Sequence, residues 1–342
     1  MQRVILRAAL MAAALFAVAS PAAAQSDILL RLRSGSPLGD RFRIDSAGSV
    51  LAKTNIGIGI IPFTGASDRM MWHAFKGGFR AGGVDGTQWD DGSFGFYSAA
   101  FGFNTIAQGN YSIAAGYGSW ALQSYGVGLG YNAHSNGVGA VALGYQSTAD
   151  ANYSVAIGQR ASTNGFTGSI VISDQSSTDS LEASANNQFS LRAAGGVRLY
   201  TNATKTTGVA LNAGGSSWNV ISDRNRKQDF LAIDGEDLLA RLGGIPVSTW
   251  RYREEADRGT LHIGPMAQDW HRAFGFSRDD TTINMSDFDG VNLAAIQALA
   301  RRTDELKAEQ AEVARLRTEL TDTQRRLAEL EAAVRRLQEE RR

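Results

Sequence analysis

Ser98-Ala99-Ala100-Phe101-Gly102-Phe103, Ser112-Ile113-Ala114-Ala115-Gly116-Tyr117, Gly126-Val127-Gly128-Leu129-Gly130-Tyr131, Ala140-Val141-Ala142-Leu143-Gly144-Tyr145 and Ser154-Val155-Ala156-Ile157-Gly158-Gln159 are one motif written five times. The spacing is fourteen residues throughout, and each phased glycine follows an apolar residue. An aromatic follows the glycine in four copies, and residues 105, 119, 133, 147 and 161 keep a second small-residue phase as Thr, Ser, Ala, Ser and Ala. Fourteen residues are too few for a helical hairpin but suit two short strands joined by tight turns. Glycine at one phase supplies positive φ or close backbone approach. Small residues can stack rung on rung inside a narrow coil, and one rung cannot bury a core alone, so stability must come from stacking and from neighbouring chains.

These repeats, over residues 98–163, resemble the head of YadA-type trimeric autotransporter adhesins. The resemblance implies a left-handed parallel β-roll assembled from three chains. It implies a shape and not a receptor, since what such heads bind varies.

On either side, the sequence reads as further β structure. Residues 25–97 alternate apolar and polar residues, as in Phe42-Arg43-Ile44-Asp45, and read as short β segments feeding the roll. Trp72, Phe79, Trp89, Phe94 and Phe96 form an aromatic cluster that fits a plug over the open end of the coil better than a carbohydrate platform, because a solenoid end needs a cap. Residues 164–220 read as a β stalk, with Phe189–Arg192 and Val197–Tyr200 expected to form a hairpin or an intertwined stalk around Ala193-Ala194-Gly195-Gly196.

The C-terminal period is different. Leu299, Leu306, Val313, Leu320, Leu327 and Val334 recur every seven residues, and Leu316, Thr323, Leu330 and Leu337 fill most partner positions. Arg302 and Glu309 interrupt the second seam at its start. A coiled coil is expected over 301–342, with its strand number left open.

At the N-terminus, Arg3 and Arg7 precede the apolar stretch Ala8–Val18, followed by Ala22-Ala23-Ala24. This is the pattern of a signal peptide over residues 1–24, too short to span about 30 Å of hydrocarbon. An exported location at the cell surface, outer membrane or beyond is expected. The 342 residues carry no net charge, which gives no support to nucleic-acid binding, and no cysteine, so stability must come from burial and oligomerisation. Thirty-eight glycines with only five prolines exclude a collagen-like fibre.

Several constellations carry no chemistry. Gly126, Gly128 and Gly130 belong to the repeat and open no helix, so they are not a nucleotide loop. His73, His134, His262 and His271 lack metal-ligand spacing, and Asp85, Asp90 and Asp91 read as a solvated turn more readily than a calcium site. No cofactor is expected.

The exception is Ser222-Asp223-Arg224-Asn225-Arg226-Lys227-Gln228-Asp229-Phe230, followed by Trp250-Arg251-Tyr252, then His262-Ile263-Gly264-Pro265-Met266-Ala267-Gln268-Asp269, then Asp289-Gly290-Val291-Asn292-Leu293. This succession, over about 220–310, resembles the intramolecular chaperone domain at the end of phage endosialidase tailspikes, a self-cleaving Ser/Lys peptidase family. The resemblance implies a small α+β assembly domain over 221–300, with Ser222 as nucleophile, Lys227 as general base and cleavage of Ile221-Ser222 by an N-to-O acyl shift. Arg226 departs from the aliphatic residue commoner before the lysine, which bears on cleavage efficiency. His262 and Gln268-Asp269 fall in the family signature and are expected to support packing by hydrogen bonding.

The chemical requirement is plain. A serine hydroxyl is a weak nucleophile, and a lysine with an ordinary pKa of about 10.4 needs desolvation or a nearby cation before it can act as a base. Arg224 and Arg226 are the neighbouring cations. A separation of five places the two side chains about 140° apart on a helix and on opposite faces of a strand, so either the segment bends or the lysine meets a serine on a neighbouring chain. A bend in a turn leading into a helix, capped by Asp223 or Asn225, is the expected solution.

The whole reads as a mainly β, trimeric fibre with an assembly domain and a coiled coil. Chain register is the problem such a module solves, because a fibre of identical rungs could pair one rung out of step at little local cost. A phage-derived tail fibre and an uncleaved trimerisation clamp are the alternatives.

Overall fold

The computed structural model describes residues 28–34, 39–53, 55–255 and 259–341. The signal-peptide reading of residues 1–24 lies outside them. Within these residues the chain forms two compact units. One runs to Val197 and includes Leu211–Ser217; the other joins Arg198–Ala210 to the chain from Trp218 onward.

The first unit is mainly a β-solenoid. Each rung contributes a five-residue strand to one sheet, as in Ile113–Tyr117, Val127–Tyr131 and Val141–Tyr145, and a two-residue strand to a second, as in Trp120–Ala121 and His134–Ser135. Successive strands pair in parallel with like residues in register, Gly116 beside Gly130 beside Gly144. Fourteen residues are therefore the length of chain in one turn of the coil.

The interior follows from side-chain size. Ala100, Ala114, Ala142 and Ala156 from the long strands and Ala107, Ala121 and Ala149 from the short ones are fully buried. Buried serines fit the same narrow space because their hydroxyls find backbone carbonyls: Ser98 Oγ donates three residues back to Gly95 at 2.7 Å, Ser112 Oγ to Gly109 at 2.6 Å and Ser154 Oγ to Ala151 at 2.7 Å, while Ser119 and Ser147 donate forward to the phased glycines Gly130 (2.8 Å) and Gly158 (3.0 Å) of the next rung. The phased glycine serves two ends at once. Gly130 has φ +136°, and a Cβ there would lie 2.0 Å from the carbonyl oxygen of Gly144.

The coil outlasts its period at both ends. Ile170–Ser173 and Phe189–Arg192 continue the long sheet, although Ile170 pairs with Val155 fifteen residues back and Phe189 with Ile170 nineteen back. Phe189–Arg192 is thus the last rung of the solenoid and not half of a hairpin with Gly196–Tyr200, which joins a separate three-stranded sheet with Gly208–Asn212 and Trp218–Val220. The parallel hydrogen-bond ladder tolerates loops of different length between rungs, which a fixed-period reading does not see.

At the other end, Ser67–His73 pairs antiparallel with Gly78–Val84, and the latter starts the parallel stack. Here the aromatic cluster divides. Trp89 and Phe94 are buried and plug the coil, whereas Trp72 is exposed. Arg80 stands opposite Ala100 and is fully buried. Its guanidinium donates to the carbonyls of Phe79 (2.9 Å), Ser98 (3.1 Å) and Ala107 (2.9 Å) and to Ser98 Oγ (3.0 Å), with Cζ 3.6 Å above the Phe94 ring. Burial pushes it down to about 9, so it remains charged at neutral pH. The three aspartates are engaged locally: Asp90 accepts from the Gly65 amide, Asp91 from Lys76 and His73, and Asp85 from Gln88.

Upstream, Ile28–Ser34, Gly39–Asp45 and Val50–Ala52 form an antiparallel sheet. In the second unit, helix Gly235–Gly243 is capped by Asp234, strands Val247–Trp250 and His262–Pro265 pair antiparallel, and helix Ala267–Phe274 ends at Gly275 with φ +67°. The helix Met285–Glu340 follows, capped by Asn284. Leu238, Trp270, Val291 and Ala295 form its core with Leu242, Phe274 and Phe288 packed around them. The long helix begins sixteen residues before the expected start of the coiled coil at 301, because its first turns belong to this core.

Candidate active site

The bend expected between Ser222 and Lys227 is a single 3-10 turn, Arg224–Arg226. Asp223 makes it: its carboxylate accepts from the Asn225 amide at 2.9 Å, while its carbonyl accepts from the Arg226 amide at 3.1 Å. The chain doubles back, and Lys227 Nζ donates to Ser222 Oγ at 2.7 Å within one chain. Contact with a neighbouring chain is not needed to bring this pair together.

The surroundings are open. Ser222, Asp223, Arg224, Arg226 and Lys227 are all exposed. The two arginines do not stand free beside the lysine: Arg226 Nε pairs with Asp223 at 3.4 Å, and the Arg224 guanidinium lies 4.9 Å above the Phe230 ring. One chain therefore supplies the serine–lysine contact but leaves it exposed to solvent.

Two further links reach back across the sequence. Arg226 Nη1 donates to the carbonyl of Thr206 at 3.0 Å, and the amide of Ile221 points to the carbonyl of Gly208 at 3.4 Å. Neither was legible in the sequence, since nothing in residues 201–208 marks them as neighbours of a serine that follows a separate strand.

His262 Nε2 lies 3.1 Å from both carboxylate oxygens of Glu255 and its ring stacks on Trp250 at 4.7 Å, a half-buried arrangement that holds the paired strands together. Asp269 pairs with Arg272 at 2.9 Å on the surface of its own helix. A cleft of about 630 Å³ opens between Trp250, Pro265, Met266, Ile283 and Phe288, and neither dyad residue lines it.

Residues 222–276 match the family model described as the chaperone of endosialidase, and the match opens on Ser222. Residues 95–119, 121–145 and 135–161 match the YadA head domain repeat. Comparisons with curated proteins and with solved structures gave no match. The chain thus joins a YadA-like head to an endosialidase-type chaperone segment, and both families imply assembly as a homotrimer.

Proposed function

We propose that this chain is an exported trimeric fibre or adhesin-like surface protein whose C-terminal unit aligns three copies and then cuts itself away between Ile221 and Ser222. The observation that carries the proposal is the 2.7 Å contact of Lys227 Nζ with Ser222 Oγ at the first residue of the chaperone match. Assembly is supported by the helix Met285–Glu340, whose Leu306, Val313, Leu320, Leu327 and Val334 are each about half exposed in one chain and need partners to be covered.

In the proposed reaction, Ser222 Oγ attacks the carbonyl carbon of Ile221. A C–O bond forms and the C–N bond to Ser222 breaks. The hydroxyl proton passes to a neutral Lys227 amine and from there to the departing Ser222 nitrogen. Water then hydrolyses the ester, leaving a carboxylate on Ile221 and a free hydroxyl and amine on Ser222. Exclusion of water from the turn by two further chains is the step that lets the lysine act as a base, which couples cleavage to assembly. Activity in isolated monomer would refute that coupling.

The exposure of the dyad in one chain equally suits a second reading, in which the unit is an uncut trimerisation clamp. Intact-mass analysis and denaturing gels of the purified chain beside Ser222→Ala separate the two. A break at Ile221-Ser222 that disappears in the variant establishes self-processing; an intact wild-type trimer by light scattering establishes the clamp.

A further inference from the structure

The two links from the dyad segment to residues 206 and 208 have no part in the serine–lysine chemistry, yet they fall on either side of the bond to be cut. Ile221, which carries the acyl group, is held through its amide by Gly208. The turn that carries Lys227 is held through Arg226 by Thr206.

The loop providing these two carbonyls is tightly cross-braced. Asn202 Oδ1 accepts from the amides of Thr206 (2.9 Å) and Thr207 (3.3 Å), and Asn202 Nδ2 donates to Thr204 Oγ1 (3.1 Å) and Thr206 Oγ1 (2.5 Å). Thr201 and Thr207 close the base, through an amide-to-carbonyl bond of 3.1 Å and a hydroxyl pair at 3.0 Å. Gly208 itself has φ +147°, and a Cβ there would lie 2.0 Å from the carbonyl of Leu199, so its backbone is packed as closely as any rung of the coil.

We infer that loop 201–208 is part of the processing site, a rigid rest that sets the Ile221 carbonyl against Ser222 Oγ and Lys227, with Arg226 as the positioning residue that fastens the turn to it. This rests on the self-cleavage reading above. Arg226 is suited to the task and an aliphatic residue is not: its planar fork reaches Thr206 with one nitrogen while Nε stays beside Asp223, the residue that forms the turn. Because Asp223 offsets the arginine charge, Arg226 acts by placement and not by repelling a proton from Lys227. Cleavage then requires the last β segment before the cut to be folded, as well as the chaperone unit behind it.

The test uses the full chain, with first-order appearance of the two fragments followed on denaturing gels and trimer content followed by light scattering. Arg226→Met is expected to remain trimeric and to cleave about a hundredfold more slowly, the scale of a small misplacement of reacting groups. Arg226→Lys should recover part of the rate. Asn202→Ala, which loosens the loop without touching the dyad, should slow cleavage similarly, and the double variant should be no slower than Arg226→Met alone. The alkaline midpoint of the rate profile should stay where it is in wild type while the plateau falls.

Wild-type rate in a trimeric Arg226→Met chain would overturn the inference while leaving self-cleavage intact. A midpoint moved to higher pH with the plateau preserved would also overturn it, because Arg226 would then act through charge. A wild-type chain that never cuts would sink both readings together.

Discussion

The solenoid completes its core within one chain, whereas the C-terminal unit presents most of its apolar side chains to solvent. Ala100, Ala114, Ala142 and Ala156 are enclosed by the two sheets of the coil itself, while Leu320, Leu327 and Leu330 on the long helix are each more than half exposed. The coil is thus specified by local backbone fit and the helix by copies of itself. Folding and assembly are assigned to different parts of the sequence, and substitutions in the two parts should fail in different ways.

The largest effect should come from Gly130→Ala. A methyl group placed 2.0 Å from the Gly144 carbonyl at φ +136° forces adjacent rungs apart, and a loss of about 4 kcal/mol or more is expected, read as a collapse of the coil's thermal transition. Leu320→Asp combined with Leu327→Asp should do the reverse. It should abolish trimers in sedimentation and stop cleavage while the β signal of the coil in circular dichroism survives. If the coil melts with it, the division of labour is wrong.

Arg80→Ala sharpens the comparison at the plug. It removes the guanidinium from the carbonyls of Phe79, Ser98 and Ala107, of which Ser98 and Ala107 keep the amides of Phe79 and Gly95, and empties the buried space over the Phe94 ring, at an expected cost of about 2 to 4 kcal/mol confined to the solenoid melt.

The smallest effect is on acid stability. The Ser176 hydroxyl, with the Ala194 amide and Arg192, holds the Asp174 carboxyl down to about 2. Its folded pKa lies below the unfolded value of about 4. Its contribution is therefore present above pH 4 and is lost as the pH falls through 2. The solenoid melt should drop across that window, and drop less in Asp174→Asn.

Much of this was readable in the sequence because two periods dominate it. Fourteen-residue glycines gave the coil, seven-residue leucines the long helix, and Ser222 with Lys227 in their surrounding signature the candidate site. What the sequence hid is set by contacts without period. The last rung, Phe189–Arg192, follows a nineteen-residue step and so reads as part of something else. Arg80 looks like a surface cation in a strand until its neighbours are placed around it. The tie from Arg226 to Thr206 uses a backbone carbonyl, which every residue possesses, so no side-chain pattern could have marked it.

One surface feature of the coil offers a way to watch it form. Tyr117, Tyr131 and Tyr145 stand one above another with ring centroids 5.2 and 5.0 Å apart and planes 8° and 9° from parallel; Tyr97, Tyr111 and Tyr125 make a second column, and Gly139 leaves a blank before Tyr153. Phenols fixed at that separation share their excitation, so the columns act as short chromophore arrays with a near-ultraviolet dichroic band of their own. The columns exist only when the rungs are stacked, so the growth of their contribution during refolding reports the winding of the coil separately from the far-ultraviolet helical signal of the C-terminus.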